Sequence, residues 1–280
     1  MAETWEEEGQ KADPNSLYMR REHYIAQVPS NGLVLAAGVD IQDDRFEGEV
    51  IAYGDGYESW GIDNFVLHGN PAQPYLWNQL KDRLNAAYKH ESGCDMHITA
   101  VGIDSGGHYT QQVYDFVKKN PHKRWWPLKG SSESGKPIIA NRGSKSNSGN
   151  VRLFSVGVDT AKELIYSRLG IANPGPGYCH FPISYDEEYF QQLTAEKRVA
   201  RYIKGFPKKE FIKIRPRNEA LDCRVYALAA ITLLNPVFSA LSLKINPEEK
   251  PTEVPEEEPK LNTLRRRRPA RKKRNWATDI

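Results

Sequence analysis

Two short apolar runs, each ending in an aspartate, constrain the fold of this chain more than any other feature. They are LVLAAGVD, residues 33–40, and HITAVGID, residues 97–104. A continuous apolar run of this length is typical of a strand buried on both faces of a sheet, because half-exposed strands alternate apolar and polar residues. The sequence therefore predicts a central sheet between two layers of helices, with Asp40 and Asp104 where two inner strands end.

The segment between the two runs predicts an antiparallel meander followed by a crossover helix. RFEGEVIAY, residues 45–53, alternates, and a Gly-Asp-Gly turn separates it from a third strand in YESWGIDNFVL, residues 57–67. An amphipathic helix is predicted over 73–88, before the second apolar run. This β-β-β-α-β-α-β order is the start of a ribonuclease-H-like α/β fold, a mixed sheet flanked by helices. Its first and fourth strands are neighbours, so Asp40 and Asp104 are predicted to lie close together.

Composition divides the chain into three predicted parts. Residues 1–30 have an acidic start and read as a leader or linker from a preceding domain, and residues 31–240 hold the folded domain. Residues 241–280 are first Pro- and Glu-rich and then strongly basic, which predicts a disordered tail. The formal net charge of +3 hides this polarity, because RRRRPARKKR at 265–274 carries eight basic residues and the remainder carries a net −5.

Two features exclude other classes of protein. No apolar stretch approaches the ~20 residues that span a bilayer, and the acidic N-terminus has no signal-peptide core. The three cysteines, Cys94, Cys179 and Cys223, form no CxxC pair, so neither a zinc site nor a disulfide framework is predicted. We expect buried or partly buried free thiols in a reducing compartment.

A third aspartate, Asp222, interrupts the apolar helical run NEALDCRVYALAA, residues 218–230. A charge on a buried helix is costly unless it is paired or binds a metal. Three converging carboxylates repel one another unless a cation lies between them. We therefore predict that Asp40 bridges two Mg²⁺ or Mn²⁺ ions, that Asp104 and Asp222 each bind one of them, and that the site cleaves phosphodiesters. Taken singly, each aspartate also suits a cap or a turn.

Two further side chains are candidate auxiliaries. Glu219 precedes Asp222 by three residues, and it is either an extra ligand or an ion-pair partner of Arg217 or Arg224. His108 follows Asp104 in DSGGHYT, and it either contacts the scissile phosphate or is an ordinary surface residue at a helix start.

A basic stretch precedes the helix that carries Asp222, and it reads as a two-stranded hairpin. Such a ribbon beside a carboxylate cluster predicts that the hairpin binds the DNA phosphate backbone. The alternative is a charged hairpin that is only solvated and does not bind DNA. The candidate DNA-binding residues are Arg198, Arg201, Lys204, Lys208, Lys209, Lys213, Arg215 and Arg217.

One motif points to a different activity. GSSESGK, residues 130–136, matches the beginning of a phosphate-binding P-loop. The next residue is Pro137, which offers neither the hydroxyl that would hold Mg²⁺ nor an N–H for a phosphate. We therefore predict that this chain has no ATPase motif.

At its motifs the sequence resembles the large terminase subunits of tailed phages, of the phage-lambda-like type. The stretches that carry the resemblance are LAAGVDIQDDRFE, YESW, VGIDSGGHYT, VDTAKELIYSRL and RNEALDCRVYALAA. They lie within residues 15–235 and correspond to the nuclease portion of such proteins, with the acidic triad at Asp40, Asp104 and Asp222.

The resemblance implies a ribonuclease-H-like endonuclease that cuts concatemeric viral DNA during genome packaging in the host cytoplasm. It also implies an upstream ATPase domain, a small terminase subunit as partner, and contact with the portal of the procapsid through the C-terminal tail. Two alternatives remain open from the residues: a resolvase- or transposase-like nuclease of the same fold, and a non-catalytic DNA-binding or docking module.

Overall fold

The computed structural model describes residues 12–203 and 206–245, apart from 132, 134, 141, 142 and 146–150. For residues 200–203 and 206–209 the structure describes the backbone but not the side chains. The first eleven residues of the predicted leader and most of the predicted tail therefore lie outside the described residues.

Eleven strands lie within the described ranges. They are β1 (Val34–Ile41), β2 (Arg45–Tyr53), β3 (Ser59–His68), β4 (Ala87–Lys89), β5 (Asp95–Asp104), β6 (Trp125–Ser131), β7 (Ser144–Lys145), β8 (Arg152–Gly157), β9 (Cys179–His180), β10 (Glu196–Ile203) and β11 (Phe206–Lys213). The two predicted strands that end in Asp40 and Asp104 are β1 and β5, and the hairpin before the last core helix is β10 and β11.

Seven α-helices lie within the same ranges. They are α1 (Pro14–Met19), α2 (Pro74–Leu84), α3 (Thr110–Lys118), α4 (Val158–Leu169), α5 (Glu187–Leu193), α6 (Glu219–Leu234) and α7 (Phe238–Ile245). The helix predicted over 73–88 is wrong at its end, because Asn85 caps α2. Tyr88 then pairs with Met96 in a short ladder between β4 and β5.

The main sheet has the order β7-β8-β6-β5-β1-β2-β3-β9, with β4 added beside β5. Strands β1, β2 and β3 form the antiparallel meander, whereas β5 runs parallel to β1 and β6 runs parallel to β5. This is the ribonuclease-H-like arrangement, and it confirms that the first strand and the crossover strand are neighbours. The carboxyl ends of β1 and β5 consequently meet at one end of the sheet.

Alternate residues of β1 contribute to two separate hydrophobic cores. Val34 and Ala36 belong to the core that α4, α5 and α6 cover, while Leu35, Ala37 and Val39 belong to the core that α2 and α3 cover. Both faces of the strand are therefore buried, which explains why its sequence is continuously apolar. Gly38 and Asp40 follow the alternation onto the α6 face.

Two glycines allow α6 to lie directly on the sheet. Gly38 of β1 and Gly102 of β5 are register partners. A Cβ at Gly38 would lie 1.8 Å from the backbone oxygen of Cys223, and a Cβ at Gly102 would lie 2.5 Å from that of Tyr226. Any side chain at either position would push the helix away. Because Asp40 and Asp104 lie two residues further along the same strands, this close approach brings both towards α6.

A buried ion pair fixes α6 against β2. Arg224 Nη2 donates to Oε1 of Glu49 at 2.8 Å, and the hydroxyl of Tyr189 donates to the same oxygen at 2.7 Å. Glu49 is fully buried and Arg224 is 3% exposed. Removing one partner of such a pair leaves an uncompensated buried charge, which costs about 3–5 kcal/mol. The pair therefore joins α6 to β2 inside the core.

Segments at both ends of the described chain pack on the α6 side. Arg20, just after α1, donates to the backbone oxygens of Leu169 and Cys179 at 2.8 and 3.0 Å. Phe238 of α7 makes an edge contact with Tyr57, with ring centroids 5.3 Å apart. The domain limits at residues 31 and 240 stay predictions.

No single described helix is long and apolar enough to cross a membrane, and α6 and α7 meet the criteria only as a pair bent by 91°. Of the three cysteines, Cys179 and Cys223 are buried as expected, whereas Cys94 is exposed, and all three are free thiols.

Candidate active site

Three aspartates gather where β1 and β5 end and α6 begins. Asp40 lies near the end of β1, Asp104 is the last residue of β5, and Asp222 lies in the first turn of α6. The parallel pairing of β1 with β5 and the glycine contact under α6 bring these three elements together. Carboxylates separated by 64 and 118 residues of sequence thus share one end of the sheet.

Asp40 is the most buried of the three, with 5% of its surface exposed. The pKa of Asp40 is raised to about 7, mainly by burial and next by the charge of Asp222, with smaller repulsions from Asp104 and Glu219. Only the hydrogen bond donated by Gln42 Nε2 opposes these effects. The charged form of the most deeply buried carboxylate in this cluster is therefore disfavoured both by burial and by its acidic neighbours.

Asp104 is held by donors from its own turn and from α6. The backbone N–H of Gly106 donates to Oδ1 at 3.0 Å, and the hydroxyl of Tyr226 makes a further hydrogen bond. Burial raises the pKa of Asp104, and these hydrogen bonds partly offset the rise because they favour the charged form. Tyr226 lies four residues after Asp222, so both side chains point from one face of α6.

Asp222 is held on both of its oxygens. Lys162 of α4 places Nζ 3.3 Å from Oδ1, and Asn218 donates Nδ2 to Oδ2 at 2.9 Å. Burial raises the pKa of Asp222, while the ammonium groups of Lys162 and Lys213 lower it. About a quarter of the side chain, 27%, remains exposed, so solvent reaches this edge of the cluster.

The two candidate auxiliaries occupy different surroundings. Glu219 is an ion-pair partner of Arg45 at 2.9 Å and of Arg217 at 3.3 Å, and the pair with Arg45 ties the start of α6 to β2. Arg224, the other predicted partner of Glu219, binds Glu49 instead. The side chain of His108 is 85% exposed, and its Nδ1 lies 3.1 Å from Asp43.

The candidate DNA-binding residues fall into three groups. Arg198, Arg215 and Arg217 are bound to acidic side chains, Glu163, Glu188 and Glu47 respectively. Lys213 is exposed and close enough to Asp222 to lower its pKa. Those outside the side-chain description are Arg201, Lys204, Lys208 and Lys209.

The donor set of the cluster suits a hard divalent cation, because it consists of carboxylate oxygens that repel one another. Among the described residues, no three His, Cys, Asp or Glu side chains are arranged to coordinate an ion directly. Each aspartate instead accepts from a protein donor, namely Gln42, Tyr226, or Lys162 with Asn218. The residues therefore fit a cation in chemistry, and direct coordination would require the aspartates to turn away from these donors towards the ion.

Sequence reasoning missed the residues that support the three aspartates. Lys162 could have been found, since it lies three and four residues before Ile165 and Tyr166 on the buried face of α4, where a charge needs a partner. Tyr226 could have been found from its helical spacing to Asp222. Gln42 carries no signal of its own in the sequence.

The sheet order places the chain in the class of ribonuclease-H-like folds. The family model described as terminase large subunit gpA, endonuclease domain, matches residues 1–240. The chain belongs to this family, and the resemblance seen in its motifs is confirmed.

Curated relatives agree with the family match. The chain is 39% identical over 241 residues to the terminase large subunit of Escherichia phage lambda, and 36% identical over 241 residues to that of Enterobacteria phage P21. These alignments cover 83% and 82% of this chain and 37% of each relative. The chain thus spans little more than a third of the length of the relatives it matches.

Two solved structures are among those matched, each with a TM-score below 0.5. One is the nuclease domain of the large terminase subunit gp2 of bacterial virus Sf6, with a TM-score of 0.41 and 11% identity over 78% of this chain and 94% of that one. The other is RuvC of Thermus thermophilus, with a TM-score of 0.32 and 13% identity over 70% of this chain and 92% of that one.

Proposed function

We propose that this chain is a metal-dependent DNA endonuclease that cuts concatemeric viral DNA during genome packaging. The observation that carries the proposal is the convergence of Asp40, Asp104 and Asp222 at one end of the sheet. The raised pKa of Asp40 supports it, because burial and the neighbouring Asp222 together leave this carboxylate in need of a cation. The family match favours this activity over a resolvase, a transposase or a non-catalytic module.

The three aspartates are proposed to hold two divalent ions, Mg²⁺ or Mn²⁺, with Asp40 shared between them. Bound ions supply an activated water and neutralise the charge that develops on the phosphate and the leaving oxygen. The protein contributes position: the Gly38–Gly102 contact sets the height of α6 above the sheet, and Tyr226 orients Asp104.

Lys213 is the described basic residue best placed to hold a DNA phosphate beside the acidic cluster. It is exposed, it ends β11, and its charge acts on Asp222. Arg198, Arg215 and Arg217 would first have to leave their acidic partners. Arg201, Lys204, Lys208 and Lys209 stay candidates from the sequence.

The partners proposed for the whole protein follow from its family. They are double-stranded DNA, a small terminase subunit, an ATPase domain upstream, and the portal of the procapsid, bound through the tail at 241–280. The proposed location is the host cytoplasm. Phe238 of α7 packs against Tyr57, so the deletion that tests the tail should begin after α7. We expect a chain lacking residues 249–280 to keep full cleavage but lose procapsid association. Loss of cleavage on this deletion would contradict the assignment of the tail.

Plasmid nicking in Mn²⁺ tests the activity. We expect Asp40→Asn to abolish nicking while the protein keeps its circular dichroism spectrum. Asp82→Asn is the matched control, because Asp82 is an exposed residue of α2 on the opposite side of the sheet, and it should cleave normally. Full nicking by Asp40→Asn would refute the proposed site.

A further inference from the structure

Lys162 is a buried cation that joins two carboxylates. It lies on α4, it is 7% exposed, and its Nζ is 2.7 Å from Oε1 of Glu196 and 3.3 Å from Oδ1 of Asp222. Glu196 is the first residue of β10 and is 5% exposed. One ammonium group therefore connects the base of the hairpin to the aspartate on α6.

Asn218 makes a second bridge between the same two carboxylates. Its Nδ2 donates to Oε1 of Glu196 at 2.7 Å and to Oδ2 of Asp222 at 2.9 Å. Because Lys162 contacts Oδ1 and Asn218 contacts Oδ2, the plane of the Asp222 carboxylate is fixed by two donors. Glu196 in turn holds both donors in place through a single oxygen.

A purely structural purpose accounts poorly for a lysine at this position. Its neighbours on the buried face of α4 are Ile165, Tyr166 and Leu169, and an apolar residue would suit them. Replacing a buried ion pair by apolar residues of similar volume is often neutral or stabilising. The distinguishing property of Lys162 is its contact with an aspartate of the proposed metal site.

We propose that Lys162 is a positioning residue for the nuclease site, which orients Asp222 for a divalent cation through the Glu196–Lys162–Asn218 bridge. The proposal rests on the function proposed above. It also connects the site to the basic hairpin, because Glu196 is the register partner of Lys213.

Mn²⁺ binding to the 280-residue chain without DNA tests the proposal, with isothermal titration calorimetry as the readout. Loss of a side chain that orients a metal ligand costs about 10- to 100-fold in metal affinity. We expect Lys162→Met to bind Mn²⁺ at least about 10-fold more weakly. Lys89→Met is the matched control, because Lys89 forms an exposed ion pair with Asp95 at 2.7 Å, and it should bind normally.

The double variant Lys162→Met, Glu196→Gln separates positioning from simple charge balance. If Lys162 only neutralised the buried Glu196, removing both charges would restore Mn²⁺ affinity. If Lys162 orients Asp222, the double variant stays at least about 10-fold weaker than the unsubstituted chain. If Lys162→Met fails to fold, the double variant alone distinguishes the two roles of Lys162, because it leaves no unpaired charge at Glu196.

The outcomes distinguish this inference from the proposed function. An unsubstituted chain that binds no Mn²⁺ overturns both. Equal or tighter binding by folded Lys162→Met, or affinity restored in the double variant, overturns the role of Lys162 and leaves the nuclease assignment standing.

Discussion

Replacing Gly38 by alanine tests how the sheet and α6 create the site. The added Cβ would lie 1.8 Å from the backbone oxygen of Cys223 and 2.6 Å from the backbone nitrogen of Ala227. Real Cβ atoms essentially never approach closer than 3.0 Å, so α6 or β1 must shift by about 1.2 Å. Because backbone lies on both sides of the contact, no side chain can rotate away to relieve it.

The expected loss of stability follows from that contact. Overpacking a well-packed core costs about 1–3 kcal/mol, and a clash between backbone atoms belongs at the upper end. A loss of about 3 kcal/mol lowers the Tm of a domain of 150–250 residues by about 6–12 °C. The displaced helix also carries Asp222 away from Asp40. We therefore expect Mn²⁺-dependent nicking to fall even at temperatures where the variant is still folded.

Differential scanning calorimetry measures the change in Tm. Gly170→Ala is the matched control, because Gly170 caps α4 with an ordinary backbone conformation and an added Cβ would lie 3.4 Å or more from its nearest neighbour. Its Tm should stay within about 2 °C of the unsubstituted chain. If Gly38→Ala melted as the control does and nicked DNA normally, the close contact under α6 would not be what assembles the site.

Three other perturbations give separate readouts. The pKa of Asp40 is about 7 in the folded chain and about 4 when unfolded, so stability without metal is lost as pH rises between these values. Asp40→Asn should therefore raise the free energy of unfolding at pH 8 in EDTA by up to about 4 kcal/mol, and the Tm with it; an unchanged Tm contradicts this. Tyr226→Phe removes a hydrogen bond that lowers the pKa of Asp104, so the acid limb of the nicking rate should move to higher pH, and an unmoved limb argues against the contact. Lys213→Ala should reduce the slope of log DNA affinity against log salt by about 1, whereas Lys118→Ala on α3 should not; equal slopes would remove Lys213 from the DNA surface.

The strand ends were accessible from the sequence because apolar periodicity reports burial directly. Asp40 and Asp104 each end a run typical of a strand buried on both faces, and the order of elements between the two runs is that of a ribonuclease-H-like sheet. The position of Asp222 relative to them was less accessible. It depends on the register of α6 over Gly38 and Gly102, and glycines inside apolar runs carry no record of which helix approaches them.

The residues around the aspartates were hidden for a related reason. Lys162 and Glu196 are separated by 34 residues, and only the packing of α4 against the hairpin brings them together. The internal pairing of the basic residues left no sign in the sequence, because a charged stretch does not reveal its partners. Arg198 and Arg217 looked available for DNA, yet both contact glutamates of the same chain.

A crystal structure of the chain grown with Mn²⁺ tests the central claim most directly, because anomalous scattering locates the metal without assumptions about activity. We expect anomalous peaks in contact with Asp40, Asp104 and Asp222, with Asp40 shared by two ions. Well-ordered aspartates with no peak beside them at millimolar Mn²⁺, or a peak held only by other residues, would contradict it.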